Sequence, residues 1–257
     1  MKRILLLTVL ALFMLSCSNS KKENWIQLFN GKDLDGWVIK IKGYPLGENY
    51  NNTFRVEDGI MKASYDKYEK FNGEYGHIYY KTPFSSYKVK VEYRFVGEQC
   101  PGGASWAFRN NGIMFHCQSP ESILLDQDFP VSIEAQLLGG DGMAERPTMN
   151  VCTPGTNIVI DTTLITQHCT NSRSKTFHGD VWVTAELVVY GDSIIYHLVN
   201  GDTVLTYKKP QIGGNNKPEG YPVPDGTPLK EGYIALQAES HPTEFRKVEI
   251  LRLEDKR

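Results

Sequence analysis

Ten consecutive residues, Tyr87 to Val96, place Val89, Val91, Tyr93 and Phe95 on one side of the chain and Lys88, Lys90, Glu92 and Arg94 on the other. A period of two is incompatible with a helix and describes a strand with one packed and one wetted face. The same alternation returns in Val181 to Tyr190. Gly191-Asp192 turns the chain into Ser193 to Val199, and Asn200-Gly201, a strong hairpin-turn dipeptide, turns it again, so three consecutive antiparallel strands are expected here. Thr53 to Val56 and Gly59 to Lys62 flank Glu57-Asp58-Gly59 as a further hairpin. Gly232 to Ala238 and Phe245 to Leu253 read as strands that close the chain after a loop rich in Gly and Pro, Pro210 to Pro228. Many short strands without alternating helices predict an all-β sandwich, read as a single domain.

Two further strands carry the polar residues of interest. In Pro130 to Asp141, Ile133, Ala135 and Leu137 oppose Ser132, Glu134, Gln136 and Leu138; in Gly112 to Cys117, Ile113 and Phe115 oppose Met114 and His116. If the polar sides coincide, a carboxylate and an imidazole meet over one surface, a pairing suited to proton transfer. Glu134 and His116 are therefore the expected catalytic pair, with His116 a proton shuttle titrating at about pH 6.5 when unperturbed. Gln136 and Gln237 offer donor and acceptor together for the hydroxyls of a polar ligand. Glu239 and His241, in Ala-Glu-Ser-His-Pro, resemble an acid-base dyad but end at Pro242, where a cap or an ion pair is the commoner role. Arg94 and Arg109 are candidates for holding an oxyanion, and Trp106 for stacking a ring. Asp141, Glu145 and Arg146 lie in a stretch without periodicity, from Gly139 to Arg173, and could rim the site, although a solvated loop face is the stronger reading.

Charge excludes some partners. With 28 Lys and Arg against 30 Asp and Glu, nothing points to nucleic acid or to acidic lipid. Lys2 and Arg3 precede an apolar run, Ile4 to Leu15, that stops at Leu-Ser-Cys17. This resembles a lipoprotein leader: residues 1–17 form the signal, Cys17 takes the lipid, 18–24 form a tether and 25–257 the domain. A lipid-anchored protein of the periplasm or outer membrane of a Gram-negative bacterium is expected, touching membrane through its anchor only. Cys100, Cys117, Cys152 and Cys169 remain, an even number in an exported chain. Local pairing, Cys100 with Cys117 and Cys152 with Cys169, is the preferred of three connectivities. No Cys-x-x-Cys, His-x-His or His-Glu-x-x-His spacing makes a case for a zinc or catalytic metal, while loop acids leave a structural calcium ion open.

Five separated motifs carry a resemblance. Trp25-Ile-Gln-Leu-Phe-Asn-Gly-Lys-Asp-Leu-Asp-Gly-Trp37, Phe54-Arg-Val-Glu-Asp-Gly-Ile60, Gly112-Ile-Met-Phe115, Glu134-Ala-Gln136 and Ile234-Ala-Leu-Gln-Ala-Glu-Ser-His-Pro-Thr-Glu-Phe-Arg246 are similar to the 3-keto-disaccharide hydrolase domain family. The resemblance implies a concanavalin-like, lectin-like jelly roll whose concave sheet faces a sugar. It implies activity on glycosides already oxidised at carbon 3, and a companion sugar oxidase that makes the ketone. Such a ketone acidifies the hydrogen on carbon 2, so a base can form an enolate that expels the oxygen on carbon 1, and hydration completes an apparent hydrolysis. Two alternatives stay open: a non-catalytic sugar-binding lipoprotein, and a jelly-roll glycosidase acting on unoxidised glycans. The latter needs a second carboxylate at about 5–5.5 Å in the retaining case. Glu134 has no acid beside it on its strand, which leaves Glu239 to supply one.

Overall fold

The computed structural model describes residues 23–214 and 216–253. Two antiparallel sheets face each other. The larger runs, in spatial order, through Thr163–Ile165, Thr156–Ile160, Asp202–Ile212, Ile194–Val199, Val183–Tyr190, Ser86–Phe95, Thr243–Arg252, Ile60–Ala63 and Phe54–Glu57, with Ile26–Gln27 added beside Thr243–Arg252. The smaller runs through Cys169–Thr170, Asn150–Cys152, Ile133–Leu138, Asn110–Cys117, Tyr233–Ala238, Gly76–Tyr80 and Trp37–Ile41. Sequence neighbours are often not sheet neighbours, the signature of a jelly roll rather than a meander.

The alternating strand behaves as its pattern requires. Tyr87, Val89, Val91, Tyr93 and Phe95 all enter the core between the sheets, each contributing roughly 1.5–3 kcal/mol through burial of its side chain. The opposing layer is supplied by Ile113, Phe115, Ile133, Ala135, Leu137, Ile234 and Leu236. The three expected hairpins form, and in two of them Asp58 and Gly59 take φ of 52° and 77°, and Asn200 and Gly201 take 50° and 94°, the left-handed pair that a two-residue turn between twisted strands demands. The stretch 139–173 departs from the expected loop. It contributes pairing strands of two to five residues to both sheets, lengths at which no periodicity can register.

The cysteines divide. Cys152 and Cys169 are direct cross-strand partners and form a disulfide. The expected Cys100–Cys117 bond does not form, and both are buried free thiols. Cys100 sits in the inter-sheet core, its N–H donating to the Ser240 carbonyl. Cys117 packs with Tyr79, Met114 and Ala235 on the opposite face of the smaller sheet. A sheet layer lies between them, so closeness in sequence gives no closeness of sulfur. Cys17 lies outside the described residues.

Candidate active site

Each strand of the smaller sheet buries one set of side chains against the core and turns the other to its concave surface. On Tyr233–Ala238 the core set is Ile234, Leu236 and Ala238, which sends Gln237, and Glu239 just beyond the strand, to the concave side. On Ile133–Leu138, Glu134 and Gln136 share that side. Register aligns these residues across strands. Lys40 faces His77, His77 faces Gln237, Gly112 faces Gln136, and Gln136 faces Asn150. Leu236 pairs with Ile113, which brings Gln237 beside Gly112. A polar band thus crosses the sheet.

Gly112 is the hinge of this arrangement. A Cβ built there would lie 2.6 Å from Gln237 Oε1 and 2.7 Å from Glu134 Oε1. The missing side chain is what lets an amide and a carboxyl from the two flanking strands converge over the middle one. Beside this point opens a cavity of about 510 Å³ lined by Glu134, Glu239, Gln136, Asn110, Trp106 and Phe129 among others. Its size suits a sugar ring with a substituent.

Electrostatically the cavity is unusual. Glu134 and Glu239 are 6% and 3% exposed, and no cation forms an ion pair with either among the described residues. Burial holds Glu134 well above the ordinary carboxylate range, and the charge on Glu239 raises it further. Burial pushes Glu239 up to about 8. Two such carboxyls cannot both ionise cheaply, so the pair retains a proton around neutrality. Beside them, Glu239 Oε2, both amide atoms of Gln237, and His77 Nε2 find no hydrogen-bond partner among the described residues. Burial holds His77 at about 3, so its imidazole is neutral. Buried polar atoms without partners are costly; Glu239 carries one into the cavity wall, and those of Gln237 and His77 lie in the polar band that runs beside it.

The other expected residues divide between the cavity and elsewhere. Gln136 lines the cavity, its Oε1 accepting from Asn150 Nδ2 at 3.0 Å. Trp106 stands at the rim, half exposed, its indole 6.0 Å from the ring of Tyr75. His116 is not brought to Glu134. It adopts φ 48°, and the pairing to the neighbouring strand shifts register between Tyr233 and Ala235. This bulge breaks the alternation, and His116 Nε2 meets the Gly191 carbonyl at 3.1 Å, in a turn of the larger sheet. His241 likewise leaves Glu239: Ser240 at φ 95° reverses the chain, and His241 is buried between Phe95 and Phe108. Arg94 lies on the outside of the larger sheet, bound to Glu244, and Arg109 pairs with Asp180.

Two contributors were not anticipated, and a third was weighed as a rim residue and set aside. His77 and Asn150 sit on short strands buried almost throughout, where no alternation flagged them, and only register relates them to Gln237 and Gln136. Arg146, read as a solvated loop residue, lines the cavity and is half-buried. Among the described residues, the metal-ligating atoms of Cys152, His168 and Cys169 lie within 4.8 Å of one another, but two of these three are joined as the disulfide and offer no thiolate.

Against known proteins, residues 24–251 match the model of the 3-keto-alpha-glucoside-1,2-lyase-like domain. The chain belongs to that family. No curated protein matches the sequence. Among solved structures, a Parabacteroides distasonis protein provisionally named a glycosyl hydrolase is 19% identical, covering 90% of this chain and 95% of its own, with a TM-score of 0.52. A galectin-like protein of unknown function from Bacillus subtilis is 11% identical, with 90% and 97% covered and a TM-score of 0.50. The lumenal domain of VIP36, in a form bound to calcium and Man3GlcNAc, is 10% identical, with 92% and 91% covered and a TM-score of 0.51. At these identities the likeness establishes the fold, a lectin-like sandwich. Family and fold together assign a carbohydrate role to the chain, as a glycoside-cleaving or sugar-binding protein.

Proposed function

We propose that the protein cleaves 3-keto-glycosides by elimination across carbons 1 and 2, and that Glu134 and Glu239 are its acid-base pair. The observation that carries this reading is a pair of buried carboxyls in one cavity, both with raised proton affinity and neither neutralised by a cation. Glu239 takes the part first expected of His116.

The chemistry needs a base for the hydrogen on carbon 2, a proton for the departing oxygen on carbon 1, and a donor to the developing enolate at carbon 3. A carboxylate in a dry cavity is more basic than one in water, which suits it to a carbon acid activated by a ketone. Its neighbour, still protonated, can return a proton to the leaving group. Gln237 Nε2 and His77 Nε2 are unspent and stand in the same polar band, ready to bond an oxyanion when the imidazole carries its proton on Nε2. Elimination gives an enone, and addition of water to it yields the free 3-keto sugar.

The same two carboxyls favour a second reading, direct hydrolysis of unoxidised glycosides. That mechanism in its retaining form needs a carboxylate ionised as nucleophile, and burial beside another acid opposes ionisation here. Elimination asks instead for a strong base and is better matched. We further propose that the domain works outside the cytoplasm, consistent with its disulfide.

The test supplies purified protein with a 3-keto-glucoside and with the matching unoxidised glucoside, following aglycone release and deuterium entry at carbon 2 in heavy water. Release from the keto sugar alone, with deuterium entry or an enone intermediate, is expected. Release from the unoxidised sugar establishes hydrolysis instead, and binding without release from either leaves a lectin.

A further inference from the structure

A second cavity adjoins the first. It also measures about 510 Å³ and is lined by Gln99, Ser105, Trp106, Phe108, Asp141 and Arg146. Trp106 and Arg146 line both cavities, so the two form one cleft divided by an indole and a guanidinium.

Arg146 is placed with care. Its backbone N–H donates to Thr176 Oγ1 at 2.7 Å, its Nη1 donates to the Gly139 carbonyl at 2.6 Å, and its guanidinium lies 5.9 Å from the Phe108 ring centre. These contacts use one donor of five. No carboxylate forms an ion pair with it among the described residues, whereas Arg109 nearby binds Asp180. Asp141 shares the second cavity and its charge reaches Arg146, but it makes no direct ion pair there, its Oδ1 accepting instead from the N–H groups of Met143 and Ala144.

A planar guanidinium with unused, partly desolvated donors is a receptor for a two-oxygen anion. The indole of Trp106 beside it is half exposed, a flat apolar wall suited to a ring. We propose that Trp106 and Arg146 bind the leaving half of the substrate, and that this half is a ring bearing a carboxylate, from either a uronic acid or an aromatic acid. The proposal rests on the reading of Glu134 and Glu239 as the reacting centre and names the class of leaving group that centre serves.

The experiment compares the 3-keto-glucoside of 4-hydroxybenzoic acid with that of its methyl ester, and the 3-keto-glucoside of glucuronic acid with that of glucose. For the wild type, kcat/KM should favour the acid over its neutral counterpart by roughly 10- to 100-fold in at least one pair, the span expected for a charged hydrogen bond. In Arg146→Gln the ratio should fall to about one, and Arg146→Lys should keep part of it; a ratio is unaffected by general loss of activity. The favoured pair tells an aryl carboxylate from a uronate. Equal kcat/KM for acid and neutral members of both pairs in the wild type overturns the proposal. Calorimetry of the unoxidised 4-hydroxybenzoate glucoside with the Glu134→Gln protein separates this from failure of the reaction itself. Binding lost in the Glu134→Gln, Arg146→Gln double variant sustains the subsite even if no keto sugar is turned over, and binding indifferent to Arg146 removes it.

Discussion

The outward faces of the two sheets obey the same period of two and carry polar residues at comparable density, yet they solve opposite problems. On the larger sheet, charges are laid opposite their complements across strands. Lys90 faces both Glu186 and Glu249, and Arg94 faces Glu244, with ion pairs at 3.6 Å, 3.8 Å and 2.6 Å. Arg94 and Arg246 also lie over the two sides of Trp182, at 4.6 Å and 4.5 Å. These charges have partners in water's reach, and such pairs are individually worth about 0–1 kcal/mol. On the smaller sheet, Glu134, Gln237, Glu239 and His77 are drawn out of water without partners. The first face is finished when the chain folds; the second waits for a ligand.

The sharpest way to break this contrast is to neutralise an acid of the concave face. Glu134→Gln keeps the shape of the side chain and removes its basicity, so turnover of a 3-keto-glycoside should fall about a thousandfold, within the range for a general acid or base, while the melting temperature holds or rises. Steady-state kinetics beside a thermal melt checks it. A loss below tenfold would make Glu134 a wall rather than a participant.

Gly112→Ala comes next. The added methyl would meet Gln237 Oε1 and Glu134 Cγ and Oε1 inside van der Waals contact, so the amide and the carboxyl must be pushed apart to admit it. A stability cost of about 1–3 kcal/mol is expected, with weaker sugar binding measured by titration calorimetry. Unchanged binding in a folded protein would mean the convergence over Gly112 is packing alone.

Cutting the Cys152–Cys169 bond tests the cavity's wall rather than its floor. These residues face Glu134 across consecutive strand pairings, Glu134 with Cys152 and Cys152 with Cys169, and the outermost strand is only two residues long. The Cys152→Ser, Cys169→Ser variant should lose about 3 kcal/mol by denaturant unfolding, as expected for a bridge closing a short loop. Activity should drop less than on losing Glu134, because the acid pair itself stays in place.

How much of this the chain announced depends on whether the information was local. Tyr87 to Val96, the three hairpins and the packed sides of the Glu134 and Met114 strands were legible because burial at every second residue is written into neighbouring positions. The sandwich, and Glu134 and Gln136 side by side, followed from that. His116 failed because a single left-handed residue moved it off the face its position in the pattern assigned. Cys100 and Cys117 failed because sequence distance is silent about which side of a sheet a sulfur lies on. His77 and Asn150 were invisible, and Arg146 was set aside as a loop residue, for a related reason: their relation to the acids passes through register and loop path, both set by tertiary packing.

The pH dependence of stability offers the finest comparison, because the two faces should respond with different strength. A carboxyl whose proton affinity is raised on folding binds more protons in the native state than in the unfolded one between the two pKa values. Stability therefore declines as pH rises through that interval. For Glu239 the interval runs from the ordinary 4.5 to about 8, and at about 1.4 kcal/mol per unit, reduced by the proton it shares with Glu134, a fall of about 2–3 kcal/mol is expected between pH 5 and pH 8. Glu239→Gln should flatten that slope and leave the variant more stable than wild type at pH 8. On the outer face Glu92 is held below its ordinary range, where burial alone would raise it but bonds from Arg246 and Lys247 prevail. Its contribution has the opposite sign, present above about pH 4.5 and lost in acid. Half exposure of its partners keeps it small, so Glu92→Gln should move the urea midpoint little at pH 8. A wild-type curve that stays level from pH 5 to pH 8 would mean that the two acids are already neutralised in solution, and the distinction between a finished face and a waiting one would disappear.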